Sequence, residues 1–168
     1  MKDDAKSQLK KLLATYDERL AEVERVAAAK RAADAAFPAR FATLTTETIR
    51  PALQEFAVVL NDRGHVAAVR EQEESSSTAG GVSLATISLR IVPKGPAPKA
   101  SETSKSFVEI SFMANRTERR ITVSSTNTMF TSGGNVGKRG DYEVDAVTAD
   151  VVVGHVLQTL EEAFAGTR

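Results

Sequence analysis

The sequence predicts an α+β fold: a long N-terminal helix and a second helix, then a four- to five-stranded antiparallel sheet with a C-terminal helix packed on one face. Three observations predict it. Good helix formers dominate positions 4–36, the apolar period shortens from about 3.6 to about 2 after Gly64, and helical spacing returns after Thr148. The expected organisation is therefore an amphipathic helical arm over 1–36, a candidate coiled coil, followed by one α+β domain over 37–168.

In the arm, Leu9, Leu13, Tyr16, Leu20, Val23 and Ala27 recur four and three apart, which is the spacing of a heptad seam. Leu13, Leu20 and Ala27 occupy one core position and Leu9, Tyr16 and Val23 the other, with Leu12 and Val26 beside them. Lys30 and Asp34 interrupt the seam before three full heptads. The helix should end before Phe37 and Pro38, because the residue preceding a proline is pushed out of helical backbone. A threonine of the 43–48 stretch then caps a second helix through Leu60, with Pro51 in its first turn and Ile49, Leu53, Phe56, Val59 and Leu60 facing inward. Gly64 supplies the left-handed stop.

Period-2 alternation marks strands over 65–73, 82–92, 105–114 and 118–126, and 141–146 suits a short fifth. Ala85, Ile87, Leu89 and Ile91 share one face of the second strand, Val108, Ile110 and Phe112 one face of the third, and Ile121 and Val123 one face of the fourth. Polar residues 74–81 should be a turn or loop. The proline-rich stretch 93–104 cannot be a central strand and is expected as a flexible connection. Glycine-rich 131–140 reads as a loop, and Thr148 caps a last helix over 149–165 with Val152, Val156, Leu160 and Ala163 or Phe164 on its apolar stripe. Gly166 should end it.

Composition excludes several classes of chemistry. With no cysteine there is no thiol nucleophile, thiolate zinc site or redox couple on the chain. No apolar run is long enough for a membrane span, and the N-terminus enters a charged amphipathic segment without the apolar core of a secretory signal. A cytoplasmic protein with no membrane contact is the expectation. Net charge is zero, yet residues 81–140 hold nine basic groups against three acidic, while 141–168 hold one against six. The simplest reading is that the acidic C-terminal segment folds against the basic middle one.

No catalytic constellation emerges from the residues. Gly133 to Lys138 has the glycines of a phosphate loop but not its spacing: three residues separate Gly133 from the Gly-Lys pair, Arg139 replaces the hydroxyl residue, and no helix follows. His65 and His155 lack a second ligand at metal spacing, and Asp150 and His155 lie five apart, off a common helix face. Ser75 to Ser77, Ser124 and Ser125 stand in no nucleophile elbow. No catalytic residue, metal or cofactor is expected. The leading expectation is a non-catalytic interaction or scaffold protein that self-associates, or binds a protein partner, through the seam. A second is a nucleic-acid or polyanion module using Arg90, Arg116, Arg119, Arg120, Lys138 and Arg139, with Phe107 available for base stacking. A third is a small-molecule cavity between sheet and helices.

Overall fold

A computed structural model describes residues 3–76, 81–95, 106–128 and 135–165. The element order is α1 (Asp3–Leu44), a π turn (Thr45–Ile49), α2 (Arg50–Asp62), β1 (Val66–Gln72), β2 (Ser75–Ser76), β3 (Val82–Ser83), β4 (Thr86–Val92), β5 (Val108–Asn115), β6 (Arg120–Asn127), β7 (Asn135–Glu143), a 3₁₀ turn (Val144–Ala146) and α3 (Ala149–Ala165). The fold is α+β, with one antiparallel five-stranded sheet ordered β1-β4-β5-β6-β7. Two compact units divide the chain, residues 1–37 and 38–168. No helix among the described residues is long and apolar enough to cross a membrane.

The first helix does not stop before Phe37 and Pro38. It continues through Pro38 to Leu44. A proline inside a helix forfeits one hydrogen bond and crowds the carbonyl four residues back, at a cost of about 3 kcal/mol. Beyond it, Phe41 and Leu44 are buried, and each large apolar side chain removed from water returns roughly 1.5–3 kcal/mol. That burial offsets the proline. Nor does a threonine cap the second helix: Thr46 donates its hydroxyl back to the Ala42 carbonyl at 3.0 Å, and helical backbone runs on into a π turn. Pro51 explains the wider turn. It has no N–H for the Glu47 carbonyl and its ring would press on it, whereas the Arg50 amide reaches back five residues to the Thr45 carbonyl. On α2 the buried residues are Ala52, Leu53, Ala57 and Leu60, while Val59, expected inside, is exposed. Gly64 ends the helix with φ of 86°, a left-handed conformation that costs glycine little.

The sheet rows follow the predicted alternation. Ile87, Phe112 and Val123 stand side by side across β4, β5 and β6, and Leu89 and Ile110 and then Ile91 and Val108 form the adjoining rows. All are at most 1% exposed. Onto this sheet α2 packs at β1 and β4 and α3 at β5, and the two helices touch each other. Edge strand β1 is partly covered by Asn61, whose amide donates to the Ala67 carbonyl at 3.0 Å and whose carbonyl accepts the Ala67 N–H at 2.8 Å, satisfying backbone groups that would otherwise invite another strand.

Strand boundaries differ from expectation: β1 is Val66–Gln72 where 65–73 was expected, and β5 is Val108–Asn115 where 105–114 was expected. The 82–92 stretch is not one strand: Val82–Ser83 pairs with Ser75–Ser76 in a separate short ribbon, so the residues expected as loop at 75–76 are paired. The strand expected from Glu118 begins at Arg120, since 116–119 form the turn, with Arg119 at φ of 53°. Residues 135–140, expected as glycine loop, are strand and pair with β6 along its length. The fifth strand is therefore Asn135–Glu143, longer and earlier than 141–146. Glycine's weak strand preference yields there to ladder pairing. The loop expected at 93–104 falls largely outside the described residues, as do Lys105, 131–134 and Gly166.

Candidate functional site

The six seam residues lie on α1, within residues 1–37, and all are exposed. Leu9, Leu13, Tyr16, Leu20 and Val23 expose 44–64% of their surface, and the flanking Leu12 and Val26 expose 69% and 55%. Seven large apolar side chains therefore stand at solvent on one helix.

In the 38–168 unit the six basic residues do not form one surface. Arg90 lies over the Phe107 ring, 3.6 Å from its centroid, and sits 3.6 Å from Glu109. Arg116 pairs with Glu74 at 3.2 Å, Arg120 reaches the Asp141 carbonyl at 3.5 Å, and Lys138 pairs with Asp141. Arg119 occupies the β5–β6 turn. Arg139 points elsewhere, and β7 shows why. Between Val123, opposite Gly140, and Ser124, opposite Lys138, the register shifts, leaving Arg139 as the extra residue of a β-bulge. Bulges re-aim side chains. This one turns the guanidinium toward α3, where Nε donates to Ser125 Oγ at 2.7 Å and the two Nη atoms donate to the Glu162 carboxylate at 2.8 and 2.5 Å.

Around Arg139 two buried side chains are polar. Ser125 and Thr159 are buried, and Thr159 takes the place expected for Leu160, donating its hydroxyl to the His155 carbonyl at 2.8 Å. One helical turn back, His155 Nε2 shares a 2.7 Å hydrogen bond with the Tyr142 hydroxyl, ring edge to ring face at 74°. A cavity of about 370 Å³ is lined by Ser125, Asn127 and Gly137 from the sheet, Lys138 and Arg139 from the bulge, and Thr159 and Glu162 from α3. The acidic C-terminal segment thus meets the basic middle one through the pairs Arg139–Glu162 and Lys138–Asp141. Among the described residues no three His, Asp or Glu side chains gather as metal ligands.

Comparison with protein-family models, curated proteins and solved structures returned no match. The chemistry of these two regions is what bears on function.

Electrostatics follow the contacts. The Arg139 guanidinium holds the Glu162 carboxyl below the usual carboxylate range, and the Lys138 ammonium and Thr122 hydroxyl do the same for Asp141. Burial, and then the Arg139 charge, push His155 below the ordinary histidine value of 6.5. Its Nδ1 is buried without a hydrogen-bond partner, so the imidazolium would carry a buried proton with no acceptor. An unfolded chain therefore takes up the His155 proton more readily. Stability contributed by neutral His155 is complete above about pH 6.5 and falls as the pH drops from there toward the folded-state value. The carboxylate pairs add a second loss below about pH 4.5. Urea midpoints should decline between pH 7 and about 5.5, and His155→Gln, which does not titrate, should flatten that part of the profile while leaving the steeper acid limb. An unchanged slope in the variant would remove His155 from this role.

Proposed function

We propose that this chain is a non-catalytic, cytoplasmic interaction protein that pairs with a second copy of itself through α1, with the α+β unit as the scaffold carried by the pair. The observation that carries the reading is the exposed stripe from Leu9 to Ala27. Over those residues the seam runs about 27 Å along the helix, and an identical helix offers knobs and holes of matching spacing.

Charge placement favours parallel pairing. With Leu13 and Leu20 at position a, Arg19 falls at g and Glu24 at e, so each Arg19 faces the partner's Glu24. The antiparallel arrangement that overlaps the whole seam gains Lys10 against Glu24 but sets Arg19 opposite Arg19 and Asp17 opposite Asp17 near its centre. Such exposed pairs contribute only a few tenths of a kcal/mol each, enough to choose an orientation but not to hold a dimer. The internal pair Arg25–Glu22, at 2.7 Å, lies at positions f and c, clear of the seam. With fewer than three heptads the association is weak and depends on concentration.

Sedimentation equilibrium over a wide concentration range should give the single-chain mass when dilute and twice that mass when concentrated. Leu13→Glu/Leu20→Glu should stay monomeric at concentrations at least about tenfold higher, with an unchanged sheet signal in circular dichroism. A single-chain mass for the intact protein at its highest soluble concentration refutes the reading. A polyanion surface is less well supported, because Arg90, Arg116, Arg120 and Lys138 already meet carboxylates, a carbonyl or an aromatic ring and Arg139 is turned toward Glu162 on α3.

A further inference from the structure

The Arg139 cavity already holds a carboxylate, and the carboxylate belongs to the chain. Arg139 is 16% exposed and fixed in orientation by Ser125 on Nε, so its two Nη groups face Glu162 as a planar fork. That geometry is how guanidinium groups recognise carboxylates and phosphates. Glu162, by contrast, is 49% exposed and projects from the last turn of α3. It can swing into water without disturbing the core, while Arg139 cannot follow it.

An ion pair that served only to bind helix to sheet would need no empty space beside it. Here the pair borders a cavity of about 370 Å³, within the size range of small-molecule sites. The space beside Gly137 is open, since a Cβ there would meet nothing within 4 Å. Ser125, Asn127 and Thr159 line the space with polar residues, and Arg139 is its cation, since the Lys138 ammonium is paired with Asp141.

We propose that this cavity binds a small oxyanion, a carboxylate or phosphate monoester, which takes the Arg139 fork by displacing Glu162. Glu162 is then an internal competitor, and its presence keeps the site closed until ligand concentration is high. The partial burial of Arg139 strengthens the contact once made, because little water remains to screen it.

The test is an NMR titration of the full-length protein with inorganic phosphate and, separately, acetate, against sodium chloride at matched ionic strength, following the Arg139 Nε–H resonance and neighbouring amides. Glu162→Gln removes the competing charge and should bind at least about tenfold more tightly than the wild type. Arg139→Lys, which keeps the charge but loses the fork, should show no saturable shifts at Ser125 or Thr159. The stronger of the two anions assigns the site to phosphate or carboxylate ligands. Equal or weaker binding by folded Glu162→Gln, or shifts reproduced by chloride, overturns the proposal. If Glu162→Gln does not fold, the wild type decides: saturable shifts at Arg139 with either anion support the site, and their absence up to about 100 mM overturns it.

Discussion

Phe112→Ala should lower the stability of this protein by about 3–5 kcal/mol, the usual cost of emptying a large buried aromatic site. Phe112 is fully buried on β5, the middle strand of the sheet, with Ile87 and Val123 beside it on either neighbour. Strand neighbours cannot close such a hole, because the ladder holds their backbones about 4.8 Å apart. Helix α3 could settle only by shifting Val152 and Val156, both fully buried themselves. Against a typical total of about 5–15 kcal/mol, the loss removes from about a fifth to all of the stability. Urea unfolding should show a much lower midpoint with an unchanged slope, and Phe112→Leu should cost much less, about 1.5 kcal/mol or below. A change under about 1 kcal/mol for the alanine variant would mean that the β4–β5–β6 row is not the centre of the core.

That row was legible in the sequence because burial on one sheet face leaves a period of two, and Ile87, Val108, Phe112, Ile121 and Val123 keep it. Helix α3 was legible for a similar local reason, with Thr148 at its start receiving the Val151 amide at 3.4 Å. Where the expectations were wrong, the deciding interaction lay far along the chain. Pro38 signals a helix end to its neighbours, and only the burial of Phe41 and Leu44 overrides it. The glycines of 133–140 signal a loop, and only pairing with β6 makes 135–140 a strand. The site shows the same division. Lys138 and Arg139 stood out as cations; alternation puts neighbours on opposite faces, but the bulge that decides which of the two faces α3 has no signature in either residue. His155 was set aside against Asp150 on its own helix, while its partner Tyr142 lies across on the sheet. The one available signal was the opposed charge of 81–140 and 141–168, which anticipated pairs such as Arg139–Glu162 without naming them.

Gly140→Ala should be costly out of proportion to one methyl group. A Cβ at this position would lie 2.8 Å from Cε2 of Tyr142 and 3.0 Å from its hydroxyl oxygen, because residues two apart on a strand share a face. The ring cannot simply rotate away, since its hydroxyl is held by His155 at 2.7 Å. Overpacking of this kind costs about 1–3 kcal/mol, and losing the Tyr142–His155 bond adds about 0.5–1.5 kcal/mol. Tyr142→Phe should show the second cost alone. In a Tyr142→Leu background, Gly140→Ala should become nearly neutral, within about 0.5 kcal/mol, so that the double-mutant cycle returns a large coupling energy. Additive costs would show that the glycine serves the backbone and not the ring. The coupling has a further readout, because a displaced Tyr142 opens His155 to water and removes part of the burial that disfavours its cation. The stability loss of Gly140→Ala should therefore shrink as the pH falls from 7 toward about 5.5, where the wild type is already losing the contribution of neutral His155.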